Sequence, residues 1–284
     1  TPVSRDEARR LANMDVTNGG WFFPEGGWID PATLCAAQCA AAGSLLDRRF
    51  GVNVARIERD GDQWNVFDDH GQIVERAPVV IVANAHDAAR IAGLRYATTR
   101  SVRGQLTVLP SGTVPGLQLP VIGEGYAVPL ASGLTLTGAT YDLDDPDPAL
   151  RANGHAENLA RLAQMLPGLQ HALDPLNAEA LDGRVAFRCV APDRMPMIGM
   201  LADEAEATRE ADRLRGAWPL DLPRTLGLFG AFAYGSRGLV WAALGAELIA
   251  SQIEGEPWPI ERDLADSIDP ARFLLRALRQ GTAR

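Results

Sequence analysis

The order of apolar and polar positions gives the chain two textures. Up to about residue 97, helical and strand patterns alternate. Residues 1–18 are polar and helix-like, and the chain then turns abruptly aromatic through Gly19-Gly20-Trp21-Phe22-Phe23-Pro24-Glu25-Gly26-Gly27-Trp28-Ile29. Glycines around such large rings predict a short strand held close to another backbone or a ligand. Asp30 is a good N-cap with Pro31 in the first turn. The helix it opens is expected to run to about residue 46, with Leu34, Ala37, Ala41 and Leu45 on one face. Strands are predicted at 52–57 and 64–67, with a turn at 68–71. The continuous apolar run at 79–85 predicts a buried strand with both faces covered, in the style of a parallel sheet, and a short helix follows at about 86–93.

From about Arg100 the pattern becomes one of strands broken by Gly and Pro. Neighbouring antiparallel strands are predicted at 101–109, 125–130 and 134–140. A helix follows at about 153–165, with Leu159, Leu162 and Met165 on one face and Pro167-Gly168 as its stop. A further strand is predicted at about 183–190. Residues 201–223 are acidic and read as a surface excursion. The run 226–230 predicts a buried strand that enters the turn Gly235-Ser236-Arg237-Gly238, which opens an apolar helix at about 237–253; a last short helix is predicted at 272–279. These patterns predict an α/β part joined to an α+β part, divided at 1–97, 98–190 and 191–284.

Composition narrows the function classes. The 284 residues carry a net charge of −9, and all 27 basic side chains are arginine. That balance argues against nucleic-acid binding through the overall field, though a local arginine patch stays possible. The cysteines, Cys35, Cys39 and Cys189, are too few for a disulfide framework, and the four histidines supply no metal-ligand spacing. No apolar stretch has the length of a membrane span, and the first residues lack the layout of a secretory signal. A cytoplasmic protein with free thiols, no metal and no membrane contact is expected.

Dinucleotide-binding folds carry Gly-x-Gly-x-x-Gly after a strand, and this chain has none: Gly123-Glu124-Gly125 lacks the third glycine. Three candidate sites remain. The Gly235–Gly238 turn offers free backbone amides and the positive end of a helix to an anionic oxygen, or is simply a tight connection. Arg184, Arg188 and Arg194 could grip a carboxylate, or form surface ion pairs. Tyr126 and Tyr141 could contact a substrate, or fill a core edge. His86 and His155, near helix starts, read as caps or surface residues.

Several of these segments, in this order, resemble the C-terminal half of the D-amino-acid-oxidase superfamily of flavoenzymes. They are the strand ending Ala83-Asn84-Ala85, the pair Tyr126-Ala127-Val128-Pro129 and Gly138-Ala139-Thr140, and Arg188 followed by Pro196-Met197-Ile198-Gly199. Three stretches are similar to the FAD-dependent oxidase domain of the MnmC family of bifunctional tRNA-modification proteins: Gly20 through Pro31, Arg188 through Gly199, and Gly235-Ser236-Arg237-Gly238-Leu239. The resemblance implies a D-amino-acid-oxidase-like flavoprotein with an incomplete FAD-binding domain, its N-terminal lobe missing, and a substrate domain built on an antiparallel sheet.

It implies FAD as cofactor, contacted by Val54, Ala83, Asn84, Gly235, Ser236, Arg237, Gly238 and Leu239. It also implies catalytic roles for Arg188, Arg237, Tyr126 and Tyr141, with Trp21 to Trp28 as a neighbouring wall. The implied reaction oxidises the N-carboxymethyl group of 5-carboxymethylaminomethyluridine at the tRNA wobble position to an imine. Water then releases glyoxylate and leaves the primary amine. The implied partners are tRNA as substrate and a methyltransferase domain. A glycine- or sarcosine-type amine oxidase, or a silent fragment that only docks tRNA or a partner chain, are the alternatives. Arg95, Arg100 and Arg103, or Arg272, Arg276, Arg279 and Arg284, are candidate RNA contacts, or solvated faces.

Overall fold

A computed structural model describes residues 1–283; Arg284 of the second arginine patch lies outside the described residues. The chain forms two compact units, one from residues 1–43 and 102–187, the other from 44–101 and 188–284.

The first unit is an antiparallel sheet under a helix. Its strands lie in the order Asp142–Leu143, Arg100–Leu109, Thr135–Gly138, Tyr126–Pro129 and Val121–Ile122, and Asp182–Val190 also pairs with Arg100–Leu109. The register sets Gly138 opposite both Leu106 and Tyr126, so the three predicted neighbours pair as the alternation required. Helix Ala152–Met165 lies against this sheet. Leu162 and Leu166 are fully buried with Leu109 and Ala127, and each such leucine contributes about 2 kcal/mol of apolar burial. Ala12 and Val16 enter the same core. That is why residues 1–43 pack with the middle block and not, as expected, with 44–97.

One buried row of this sheet is polar. Arg103, Gln105 and Thr107 are at most 1% exposed. Arg103 donates to the carbonyl of Asp147 and to the carboxylate of Asp142, and Asn158 Nδ2 donates to the Gln105 carbonyl and to Thr107 Oγ1. A Cβ on Gly154 would lie 2.9 Å from the Gln105 side chain, so the helix reaches the row only because that position is glycine. Arg103 is therefore an internal strut and no RNA contact. His155 is equally buried, and not a cap or surface residue: its Nδ1 meets Thr107 Oγ1 at 2.8 Å.

The second unit joins a three-stranded meander, Val54–Asp60, Gln63–Asp68 and Ile73–Ala77, to a second sheet in the order Met197–Ala202, Arg224–Phe232 and Val80–Val82. The last two strands are parallel, as the run at 79–85 predicted. Only Val82 of that strand is buried, however; Ile81 is 46% exposed, so one face is uncovered in this chain. Helix Gly238–Glu254 packs on the sheet at Gly245, where a Cβ would sit 2.8 Å from Tyr234 Oη. Residues 201–223 are more than a surface excursion: Ala207, Leu214 and Leu222 form a core with Leu274, Leu275 and Leu278 of helix Arg272–Gln280. A buried ion pair, Arg224 to Asp269 at 3.0 Å, ties the strand to the C-terminal helices.

Helix Pro31–Ala42 starts where expected, with Asp30 accepting from the backbone of Ala32 and Thr33. It ends four residues short of the expected limit and buries none of its residues. The face of Leu34, Ala37 and Ala41 is not a core face within this chain.

Candidate functional site

Two strands of the second unit run parallel, and their carboxyl ends carry the residues singled out by sequence. Val80–Val82 leads into Ala83-Asn84, and Arg224–Phe232 leads into Gly235-Ser236-Arg237. The register, Val80 with Leu228 and Val82 with Gly230, brings both exits to one end of the sheet. In open α/β sheets that end is where ligands bind, because loops leave the strands there and helix N-termini point back.

The backbone is strained at both exits. Ala85 has φ +56° and Ala233 φ +59°, a left-handed conformation that disfavours any side chain with a Cβ. No sequence signal marks an alanine for that conformation, so these two positions were not found by pattern. Gly235, at φ +57°, turns the chain towards Val190, and its N–H donates to the Cys189 carbonyl at 2.9 Å. Val190 in turn bridges Tyr234. These bonds draw the end of strand Asp182–Val190, and with it the half-buried Arg188, to the side of the glycine turn.

Not all the amides of that turn are free, as the sequence suggested. Gly235 N–H is spent on Cys189, and Arg237 N–H donates to Tyr234 O at 3.2 Å. Arg237 then caps helix Gly238–Glu254 without a side-chain bond to its amides. Gly238 and Leu239, in the first turn, have no intrahelical acceptor. They open a helix of seventeen residues, so this end carries a partial positive charge. Val54, Ala85 and Ala89 pack at the edge of the core that holds Val82, Cys189 and Ala233, and Arg90 donates to the Ala55 carbonyl at 3.0 Å. The structure thus gathers Val54, Ala83, Asn84, Arg188 and Gly235 through Leu239 in one unit.

These residues fit the ring end of a flavin. Ala83 and Leu239 are exposed apolar surface, the first-turn amides of Gly238 and Leu239 have no backbone acceptor among the described residues, and the chain at Gly235 turns without a Cβ that would meet Val190 at 3.3 Å. A planar, apolar ring system with carbonyl acceptors matches that set. Burial pushes the Cys189 thiol up, against a weaker opposing contact from Thr99, so it stays a neutral core side chain.

The remaining candidates lie elsewhere. Tyr126 and Tyr141 belong to the first unit. Tyr126 is half-buried opposite Gly138, where a Cβ would lie 3.0 Å from its hydroxyl, and Tyr141 stands three residues further on, 45% exposed. Arg184 is exposed in the first unit and Arg194 is exposed in the second, at φ +63°. Among the described residues no group of three or more His, Cys, Asp or Glu side chains could hold a metal ion, and no helix is long and apolar enough to cross a membrane.

Comparison with known proteins places this arrangement. Over 99% of its length the chain is 76% identical to the tRNA 5-methylaminomethyl-2-thiouridine biosynthesis bifunctional protein MnmC of Paraburkholderia phytofirmans, and it is 63% identical to the protein of the same name from Burkholderia thailandensis. It spans 43% of the first of these and 42% of the second. Its fold matches glycine oxidase from Geobacillus kaustophilus with a TM-score of 0.73 at 22% identity, covering 96% of this chain and 66% of that one. L-proline dehydrogenase from P. horikoshii matches with a TM-score of 0.71 at 15% identity, over all of this chain and 70% of that one. The profile of the DAO group of FAD dependent oxidoreductases matches residues 2–252, and this chain belongs to that family.

Proposed function

We propose that this chain is the oxidase part of a tRNA-modifying protein, and that it removes the carboxymethyl group from 5-carboxymethylaminomethyluridine at the wobble position. The observation that carries the reading is the bond from Gly235 N–H to the carbonyl of Cys189, the neighbour of Arg188, which sets that strand end beside the turn that opens helix Gly238–Glu254, in a chain so similar to proteins named for 5-methylaminomethyl-2-thiouridine biosynthesis.

When bound, FAD supplies a two-electron acceptor for a C–H bond next to nitrogen. The chain's own residues supply position and charge. Gly238 and Leu239 would hold the ring's carbonyl edge, and the helix N-terminus behind them would stabilise negative charge there. Ala83, Asn84 and Val54 would line the wall beside it. The Arg188 guanidinium grips the substrate carboxylate through two parallel hydrogen bonds, which fixes the neighbouring carbon. Arg237 is a further substrate contact of this reading, and Tyr126 and Tyr141 are the candidates that the first unit offers. The tRNA substrate and a methyltransferase acting on the product amine are the partners it requires, and it places the protein in the cytoplasm.

Replacing Arg188 by Ala in the FAD-loaded protein should lower kcat/KM for glyoxylate release by about a hundredfold or more, the scale of two lost charge-assisted bonds. Unchanged turnover assigns the carboxylate to another residue. A second reading, oxidation of a free amine such as glycine or sarcosine, draws on the glycine-oxidase fold. Turnover of free glycine with none on modified tRNA would establish it.

A further inference from the structure

The second unit has a cavity of about 480 Å³ that the oxidation does not use, between the Trp218–Asp221 turn and the C-terminal helices. That volume lies in the range of small-ligand pockets, roughly 300–1,000 Å³. Trp218 lines it and is 62% exposed, an unusual display for an indole. The turn holding it is firmly tied: Trp218 N–H donates to Asp221 at 3.0 Å, Leu220 N–H donates to Asp266 at 2.9 Å, and Arg262 pairs with Asp221.

Three arginines of helix Arg272–Gln280 line the same cavity. Arg272 is engaged with Asp193 at 2.8 Å. Arg279 donates Nε to the Arg215 carbonyl and Nη2 to that of Ala217, which fixes its plane and leaves Nη1 without an acceptor among the described residues. Arg276 lies over the Phe273 ring, 5.4 Å from its centre, and none of its N–H groups is paired among the described residues. Of the lining carboxylates, Asp266 faces Leu220 N–H and Arg262, which leaves Asp263 against Arg276 and Arg279. The rim is thus locally positive on a chain of net charge −9.

An exposed indole on a tied turn beside two arginines matches one kind of ligand well. An unpaired nucleotide stacks its base on such a ring and sets its phosphate on the guanidinium donors. We propose that this cavity binds a single-stranded nucleotide of the RNA substrate, a contact outside the chemistry that adds affinity. The proposal rests on the tRNA reading above.

The test is filter binding of labelled tRNA to the unmutated chain, Trp218→Ala, Trp218→Phe and Arg276→Gln across a salt series. Trp218→Ala should weaken binding about tenfold, and Trp218→Phe should recover most of that loss, since any aromatic face stacks. Arg276→Gln should reduce the slope of log affinity against log salt by roughly 0.7, one single-strand phosphate contact. Tight binding by the unmutated chain, unaltered in all three variants, overturns the site and leaves the tRNA reading standing. Loss in Arg276→Gln alone marks a simple anion contact and also overturns the nucleotide. No binding by the unmutated chain at low salt overturns both the site and the tRNA reading.

Discussion

At the scale of single residues, two positions show how little room the fold leaves. An alanine at Gly245 would improve helix propensity by about 1 kcal/mol, yet its Cβ would lie 2.8 Å from Tyr234 Oη and 3.1 Å from Ile198. Overpacking of that kind costs about 1–3 kcal/mol, so Gly245→Ala should lower the urea midpoint. Adding Tyr234→Phe, which deletes the offending oxygen, should restore most of it. His155 makes a pH prediction. Burial pushes its pKa below the ordinary value, with Asp182 opposing weakly. Thr107 Oγ1 accepts from Asn158 and so has its proton to give to Nδ1, which places the histidine proton on Nε2, where no partner stands among the described residues. As pH falls through about 6.5, the unfolded histidine takes up a proton and the folded one does not, so the unfolded state gains and stability drops. The melting temperature should fall between pH 7.5 and 5.5, and His155→Gln should flatten that fall. Neither His155 nor Arg103 was legible as buried, because alternating Arg103, Gln105 and Thr107 carry the pattern of a solvent face. The helix that covers them supplies its own polar side chains.

At the scale of elements, sequence served best where local chemistry decides. The Asp30 cap, the helix before Pro167, the hairpin around 125–140 and the strand-to-helix turn at 235–238 were all readable, because caps, stops and glycine turns act through near neighbours. Helix Pro31–Ala42 shows the limit. Its start was legible, but its burial depends on surfaces that no periodicity reports, and none of its residues is buried. Such a helix depends heavily on its cap. Asp30→Ala removes the acceptor of two amides and should cost about 1 kcal/mol, seen as faster amide exchange across residues 32–36 with the sheet of the first unit unchanged. The strand Met197–Ala202 was not predicted as a strand, since its glycine and methionines lack β-branched character.

At the scale of the whole molecule, the chain is interleaved. Residues 1–43 join 102–187, and 44–101 join 188–284, so each unit is closed by segments distant in sequence. Linear texture divides the chain at 97 and 190, whereas the compact units cross at 43, 101 and 187. A short polar helix carries no mark of the core it will join. Family membership was legible because the glycine turn and the aromatic-to-Asp30-Pro31 stretch are specific in order and spacing; the strained Ala85 and Ala233 were not. The most direct test of the account is the visible spectrum of the FAD-loaded protein, recorded without oxygen, as tRNA carrying 5-carboxymethylaminomethyluridine is added. The flavin bands should bleach in the unmutated chain and persist, on the same timescale, in Arg188→Ala. Bands that stay unbleached in the unmutated chain, or that bleach equally fast in Arg188→Ala, would overturn the proposed oxidation.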